Sequence, residues 1–240
     1  MLKYEVVASD LRNRIESGQY KANEQLPTIA EMCKIYGVSE ITVKKATEQL
    51  AGIGLISTRK GSGSYVKGDV GAFLRDPSAE MSGQMAGFKA EHEQLGAEVT
   101  SLVKTFEVIH PEPEVAERLS ADAADFVYRI VRVRLADGMP LVVEYTYMPI
   151  SIVPGLRLAD VESSIYEHIE QGLGLRIDSA HRIVRAVMPT PQEREWLGLA
   201  PDTPLLEVEQ VGFLDDGRPF EYSVARHSGD RYSFHAVAKH

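Results

Sequence analysis

Residues 23–66 read NEQLPTIAEMCKIYGVSEITVKKATEQLAGIGLISTRKGSGSYV and decide the fold of the first part of the chain. Leu26-Pro27-Thr28 places an extended residue before a proline and a hydroxyl at a capping position, which predicts a helix over about 29–36. Gly37 follows where a left-handed residue commonly ends a helix, and Ser39 can cap the next helix. Two helices joined by so short a turn cross steeply, which is the geometry of a helix-turn-helix.

The second helix of this motif carries one apolar face, and a hairpin follows it. Four apolar residues at spacings of three and four predict one buried stripe: Val43, Ala46, Leu50 and Ile53. Residues 55–58 and 64–66 read as short strands on either side of a basic, glycine-rich tip at 59–63. The segment therefore predicts a winged helix-turn-helix domain.

A winged helix-turn-helix presents one helix end and one loop to a DNA duplex. The first residues of the recognition helix reach base edges, while neighbouring lysines neutralise phosphates. The residues predicted to contact DNA are Thr28, Ser39, Glu40, Thr42, Lys44, Lys45, Arg59, Lys60, Ser62 and Gly63. A helix-turn-helix pattern also occurs in domains that bind no DNA, but the basic wing at the expected distance favours DNA binding.

Charge is distributed unevenly along the 240 residues, whose formal net charge is −9. Residues 1–67 hold ten Lys or Arg against seven Asp or Glu, a net of +3, and the remainder holds sixteen against twenty-eight, a net of −12. Chance asymmetry is the alternative interpretation. Otherwise, basic charge is confined to the segment with the DNA-binding pattern, and the acidic remainder disfavours non-specific coating of nucleic acid.

Length and composition exclude several other classes of protein. A chain of 240 residues is expected to form two domains. The single cysteine, Cys33, excludes an intramolecular disulfide and a cysteine-rich metal site, and we expect it to be a small core residue. Neither a membrane span nor a signal peptide is visible, which predicts a cytoplasmic protein. The histidines show no metal-ligand spacing and no cofactor motif is visible, so no metal and no cofactor are expected. Residues 1–18 read as an amphipathic helix with three apolar residues on one side: Val6, Leu11 and Ile15.

Residues 1–66 resemble the DNA-binding domain of the GntR family of bacterial transcription regulators. The resemblance rests on motifs such as Leu26-Pro27-Thr28, Tyr36-Gly37-Val38-Ser39, Thr42-Val43-Lys44 and Gly61-Ser62-Gly63-Ser64-Tyr65-Val66. The family usually has arginine where this chain has Ala30 and Glu40, and often where it has Lys44. Because a lysine lacks the bidentate fork that reads guanine, the resemblance implies the family's docking mode but not its usual operator.

The sequence predicts a first domain at 1–67, followed by a linker at 68–84 and a second domain at 85–240. Apolar strand-like runs occur at 99–109, 126–135, 141–148, 175–187, 205–213 and 220–227, and helical patterns at 111–119, 161–171 and 191–197. Two Asp-Gly pairs, at 137–138 and 216–217, predict hairpins between neighbouring strands. The prediction is an α+β domain with a mainly antiparallel sheet.

Strand parity brings two arginines to one face of that sheet. Arg132 and Arg134 are two residues apart, so they share a face, whereas Val131, Val133 and Leu135 point the other way. Arginines so placed are costly unless carboxylates pair with them or an anion binds them. Two interpretations are equally compatible with this spacing. In one, the arginines pair with Glu144 and Glu221 in a structural network; in the other, they form a ligand site.

Residues 85–240 resemble the UTRA effector-binding domain, so the whole chain is similar to the HutC subfamily of GntR regulators. Motifs that carry this resemblance are Arg132-Val133-Arg134, Asp137-Gly138-Met139-Pro140, Ser164-Ile165-Tyr166 and Glu221-Tyr222-Ser223. It implies a chorismate-lyase-like fold, a metabolite pocket and a homodimer. The implied effector-binding residues are Arg132, Arg134, Ser164 and Tyr166 for a phosphate, and Glu144, Glu221 and His227 for the polar remainder of the ligand. Relatives often have tyrosine at position 227.

The resulting expectation is a regulator of transcription, most simply a repressor, that binds double-stranded operator DNA as a homodimer and responds to a small anionic metabolite. One alternative is a chorismate-lyase-like enzyme, but the sequence shows no catalytic residues, no nucleophile–base pair and no cofactor motif. A second alternative is a constitutive DNA-binding protein whose effector pocket has degenerated, against which the four residues implied for the phosphate argue.

Overall fold

A computed structural model describes residues 2–59, 62–68, 79–81, 88–89, 92 and 96–235 of the chain. It contains two compact units, one formed by Met1–Gln84 with Phe234–His240 and the other by Met85–Ser233. Most of the predicted linker at 68–84 lies outside the described residues. The domain boundaries drawn from the sequence therefore stay a prediction.

The first unit has the elements of a winged helix-turn-helix. They are α1 (Lys3–Glu16), α2 (Ile29–Tyr36), α3 (Glu40–Gly52), β1 (Ile56–Arg59) and β2 (Gly63–Val66). The predicted caps are present, since the side chains of Thr28 and Ser39 accept hydrogen bonds from the backbone amides of Glu31 and Thr42. Gly37 ends α2 with φ 62°, a left-handed conformation that glycine adopts without strain. The predicted helix-turn-helix is therefore confirmed in both its helices and its turn.

The core of this unit is formed by the predicted stripe of α3 and by part of α1. Val43, Ala46, Leu50 and Ile53 are all buried. On α1 the prediction that Val6 lies on the same apolar side as Leu11 is wrong, because Val6 is 50% exposed while Val7 and Leu11 are buried. A spacing of four residues, from 7 to 11, stays on one helix face, whereas the spacing of five from 6 to 11 does not. Cys33 is half-buried against this core, as expected of a small core residue.

The second unit is built on one antiparallel sheet. Its strands are β4 (Val99–Ile109), β5 (Val127–Ala136), β6 (Met139–Pro149), β7 (Ile177–Val187), β8 (Leu205–Leu214) and β9 (Pro219–Ser228), in the order β4-β5-β6-β9-β8-β7. The helical segments are α4 (Pro113–Leu119), α5 (Leu158–Glu162), α6 (Ile165–Glu167), a π-helical turn (His168–Gly172) and α7 (Pro191–Leu197). A separate pair joins β3 (Ala79–Met81) to β10 (Ser233–His235).

Both predicted hairpins are present. Asp137 and Gly138 have φ values of 50° and 76° between β5 and β6, which is the backbone of a type I′ turn. Gly217, with φ 83°, lies in the turn between β8 and β9. These tight connections fix the register that sets Arg132 opposite Glu144.

The two faces of the sheet are covered by different layers. On one face Ile130 and Met148 pack with residues of the 153–169 segment, including Val161. On the other face Val131 and Val133 pack with the end of α7, as strand parity predicted. Because side chains alternate along a strand, Arg132 and Arg134 belong to the face that carries Ile130.

The prediction of a continuous helix over 161–171 is wrong. The segment is divided into α5, α6 and the π-helical turn, with the break at Ser163, whose φ of −102° and ψ of −95° are not helical. Ser164 then caps α6 by accepting from the backbone amide of Glu167. Serine favours such caps over helix interiors because its hydroxyl competes for backbone hydrogen bonds.

A buried carboxylate connects α7 to the sheet. Glu193 is 0% exposed, and its side chain accepts hydrogen bonds from Tyr145 Oη at 2.8 Å, Arg226 Nη1 at 2.8 Å and Thr190 N at 2.8 Å. Burial raises the pKa of Glu193, but these hydrogen bonds outweigh burial and hold the pKa below its ordinary value. Glu193 therefore stabilises the fold mainly in its ionised form.

Replacing Glu193 with alanine is expected to lower the free energy of unfolding by about 2–4 kcal/mol, because Arg226 and Tyr145 lose a buried partner. Since the folded pKa lies below the unfolded one, this stabilisation is present at neutral pH and is lost as pH falls through the folded pKa. Thermal unfolding of the full chain at pH 7 and in acid measures both effects. The control is Glu195→Ala, an exposed glutamate of the same helix; equal melting temperatures for the two variants at pH 7 would contradict the assignment.

Candidate nucleic-acid interface and ligand site

The start of α3 carries a local ion pair. Lys44 Nζ lies 2.9 Å from Glu40 Oε1, one helical turn away, and both side chains are more than half exposed. The hydrogen bond and charge of Glu40 raise the pKa of Lys44. Lys45 Nζ lies 4.1 Å from the centroid of the Tyr4 ring, which is a cation–π contact. The two predicted lysines are thus exposed and oriented by neighbours.

Two of the other predicted DNA-contact residues are the N-terminal caps of α2 and α3, and a third contacts a cap. The hydroxyls of Ser39 and Thr42 are 2.9 Å apart at the start of α3. The hydroxyl of Thr28 lies 2.7 Å from Glu31 Oε2 at the start of α2. Hydroxyls at exposed helix starts can also bond to phosphate oxygens, so capping and DNA contact are compatible roles.

The tip of the wing forms a side-chain hydrogen bond with Gln25, which is not among the predicted DNA contacts. Gln25 Nε2 donates to the carbonyl of Ser62 at 2.8 Å, and Ser62 Oγ lies 3.0 Å from Tyr65 Oη. Gly63 has φ 106°, and a Cβ there would lie 2.6 Å from Gln25 Nε2, so the close approach requires glycine. Arg59 is exposed at the end of β1, and the predicted contact residue Lys60 lies outside the described residues.

In the second unit, Arg132 and Glu144 form a buried ion pair. Arg132 Nη2 donates to Glu144 Oε2 at 2.5 Å, and Arg132 Nη1 donates to the carbonyl of Val161 at 2.9 Å. Burial alone would raise the pKa of Glu144, but the charges of Arg132 and Arg134 outweigh it and lower that pKa. Arg132 therefore ties α5 to the sheet and neutralises Glu144.

Arg134 is buried but incompletely paired. The residue is only 3% exposed. Its Nη1 lies 3.9 Å from Glu144 Oε2, and its Cζ lies 4.9 Å from the centroid of the Phe88 ring. Neither Nε nor Nη2 of Arg134 has a hydrogen-bond partner within the described ranges, and the same holds for Arg132 Nε and the hydroxyl of Ser101. Burial lowers the pKa of Arg134 to about 10, which leaves it charged at neutral pH.

A second polar cluster lies on the neighbouring strands. Glu221 Oε1 accepts hydrogen bonds from Ser223 Oγ at 2.6 Å and from Gln210 Nε2 at 3.1 Å, and Gln210 Nε2 lies 3.3 Å from Tyr166 Oη. Burial raises the pKa of Glu221, and burial together with the charge of Glu221 raises the pKa of Tyr166 well above its ordinary value. The cluster therefore brings hydroxyl, amide and carboxyl groups within hydrogen-bond distance of one another.

His227 is one of the two predicted effector residues on β9. It is buried, and its ring stacks on Tyr232 with centroids 3.7 Å apart. Burial lowers the pKa of His227 to about 3, so the ring is neutral at physiological pH and can both donate and accept. Its place on β9, across from Val142 of β6, puts it on the face of Arg134, which pairs with the same valine.

The structure thus brings most of the predicted effector residues to one face of the sheet. Arg132, Arg134 and Glu144 interact directly, and Glu221 lies with Tyr166. Ser164 is engaged as the cap of α6, three residues after the carbonyl that Arg132 binds. The predicted site did not include Gln210, Ser101 or Phe88. Cross-strand register reveals the first two, because Gln210 pairs with Ser223 and Ser101 with Arg134.

Two absences within the described ranges bear on other classes of site. Within those ranges, no helix combines the length and the apolar character needed to cross a membrane. The same residues contain no group of three or more His, Cys, Asp or Glu side chains placed to hold a metal ion.

Comparisons with known proteins agree with both units. Residues 3–66 match the family described as bacterial regulatory proteins, gntR family, and residues 94–233 match the UTRA domain. The HTH-type transcriptional regulator GmuR of Bacillus subtilis (strain 168) is 36% identical over 233 residues, which are 97% of this chain and 96% of that protein.

Two further matches extend over the whole chain. The mannosyl-D-glycerate transport/metabolism system repressor MngR of Escherichia coli (strain K12) is 30% identical over 236 residues, covering 98% of this chain and 95% of that protein. The crystal structure of the possible transcriptional regulator YydK from Bacillus subtilis superposes with a TM-score of 0.81 at 29% identity and covers all of both chains. The chain therefore belongs to the GntR family of bacterial transcription regulators, in the HutC subfamily with a UTRA domain, and is a DNA-binding repressor rather than an enzyme.

Proposed function

We propose that this repressor is a cytoplasmic homodimer that leaves its operator when a small anionic metabolite binds beside Arg134. In this proposal residues 1–67 bind DNA, residues 85–240 bind the effector and form the dimer, and 68–84 link them. The observation that carries the effector site is the buried guanidinium of Arg134, whose Nε and Nη2 have no partner in the described part of the chain.

Unpaired buried donors are unusual, because a polar group that leaves water without a new partner destabilises the fold. Arg134 Nε and Nη2 and Arg132 Nε are three such donors on adjacent positions of one strand face. A guanidinium presents its N–H groups as a planar fork that matches a carboxylate or a phosphate. The structural-network alternative accounts for the ion pair of Arg132 with Glu144 but leaves Arg134 Nε and Nη2 and Arg132 Nε without partners in the described ranges, which favours a ligand at Arg134.

The rest of the site suits a ligand rich in hydroxyl groups. Glu221, Gln210 and His227 offer donors and acceptors on the same face as Arg134, and Tyr166 of α6 lies within hydrogen-bond distance of Gln210. The name of the relative MngR refers to mannosyl-D-glycerate, a sugar with a carboxylate. We therefore propose a sugar that carries one carboxylate or phosphate as the effector class.

The DNA interface of this proposal consists of the start of α3 and the wing. Lys44, Lys45 and Arg59 are exposed cations there, and Thr28, Ser39, Thr42, Ser62 and Gly63 place hydroxyl and backbone groups nearby along the chain. A homodimer would present two copies of α3 to a pseudo-palindromic operator. Lys60 completes the proposed wing contacts, and Glu40 is the residue of α3 whose charge opposes phosphate.

A thermal-shift series with the full chain tests the effector class. Glucose 6-phosphate and mannosyl-D-glycerate are compared with glucose, mannose and inorganic phosphate at equal ionic strength. A ligand at 100 times its Kd stabilises the folded state by about 2.7 kcal/mol, so a binding sugar anion should raise Tm by several degrees. Equal shifts for charged and neutral sugars would contradict an anion site at Arg134, and a shift with inorganic phosphate alone would show that the hydroxyl-binding cluster is dispensable.

A further inference from the structure

The first turn of α3 exposes an isoleucine that is absent from the predicted DNA contacts. The side chain of Ile41 is 79% exposed, the highest value among the large apolar side chains in the described ranges. Val43 and Ala46 of the same helix face the domain core, so Ile41 lies outside the buried stripe. Packing within the domain therefore does not explain an isoleucine at this position.

The position of Ile41 is that of a base-reading residue. It is the second residue of α3, and the N-terminal residues of a recognition helix are the ones that contact base edges in the major groove. Lys44 and Lys45 follow it by three and four residues, so they lie on the same side of the helix. Both lysines are exposed, which places positive charge beside an apolar tip. That combination complements a base edge flanked by phosphates.

The chemistry of isoleucine limits what it can recognise. The side chain has no hydrogen-bond donor or acceptor, so it cannot read the polar pattern of the groove. The C5-methyl group of thymine is the apolar feature of the major-groove edge, and apolar side chains are the ones that contact it. We propose that Ile41 is a specificity-determining residue that packs against a thymine methyl in each operator half-site.

The inference rests on the proposed docking of α3 in the major groove, and removal of a single methyl group tests it. A duplex is first selected from a random pool by the full chain, and each thymine in turn is replaced by deoxyuridine, which keeps base pairing but lacks the methyl. Binding is measured by fluorescence anisotropy for the wild type and for Ile41→Ala. At the contacted thymine the wild type should lose roughly three- to tenfold in affinity.

The variant distinguishes a direct contact from a general effect on the domain. Ile41→Ala should bind the thymine duplex as weakly as the wild type binds the deoxyuridine duplex, and should be indifferent to that substitution. The matched control is Ile35→Ala, a 55% exposed isoleucine on α2, which should retain the full methyl dependence. A wild type that tolerates deoxyuridine at every position overturns the inference while DNA binding stands. Selection of no duplex at all overturns the docking of α3 as well.

Discussion

Replacing Arg134 with methionine is expected to raise the effector concentration needed for operator release by about 30-fold or more. Truncating one partner of a buried, hydrogen-bonded charge pair costs about 2–5 kcal/mol of binding free energy, or roughly 30- to several-thousand-fold. Operator affinity without effector should stay within about threefold of wild type, because Arg134 belongs to the second unit and α3 to the first. Release curves measured with a labelled operator give both numbers.

The same variant separates a ligand site from a structural ion pair. Methionine removes a buried cation with two unpaired nitrogens, so the melting temperature without effector should be unchanged or higher. Arg129→Met on the same strand is the control, since Arg129 is exposed and pairs with Glu107 at 2.8 Å. If Arg134→Met unfolds at a clearly lower temperature, or still responds normally to the effector, the anion-site assignment is wrong.

Replacing Lys44 with alanine is expected to weaken operator binding by about 10- to 100-fold, more than Lys45→Ala does. Each variant removes a phosphate contact, and each lost contact should reduce the slope of log K against log salt by about 0.9. Lys44→Ala also leaves Glu40 without the ion pair at 2.9 Å, so that an uncompensated carboxylate faces the DNA. Affinity titrations at several salt concentrations measure the slope and the affinity together.

A second substitution checks the role assigned to Glu40. Glu40→Gln added to Lys44→Ala should recover part of the affinity but none of the lost salt slope, because it removes repulsion without restoring a cation. Lys34→Ala on α2 is the control, an exposed lysine outside the proposed interface. An unchanged salt slope in Lys44→Ala would remove Lys44 from the interface.

The first unit was predictable because its signals are local. The proline before Thr28, the glycine at 37 and the serine at 39 each set a backbone conformation that needs no distant contact. The prediction failed at Val6 because Val6 and Val7 are adjacent and both apolar, so the pattern does not show which of them lies on the buried face of α1. Ile41 was not among the predicted contacts, because the sequence pattern identifies apolar residues that continue a buried stripe and Ile41 does not continue one.

The ligand site was only partly predictable from the sequence. Strand parity placed Arg132 and Arg134 on one face, but it could not show that Arg132 is paired and Arg134 is not. The contribution of Gln210 depends on which strands become neighbours, and Phe88 contacts Arg134 from a residue outside the strands. Both contacts follow from the packing of the whole unit. The break at Ser163 arises from competition between helix continuation and a new cap, which single-residue propensities do not resolve.

If the repressor couples effector binding to operator release, the effector must bind the free repressor more tightly than the operator-bound repressor. Linkage requires the factor by which effector weakens operator binding to equal the factor by which operator weakens effector binding. Isothermal titration of the sugar anion identified by thermal shift, into repressor with and without saturating operator, measures the second factor. We expect at least about tenfold weaker effector binding to the operator complex, equal to the loss of operator affinity. Equal effector affinity for the free and DNA-bound protein would contradict this coupling.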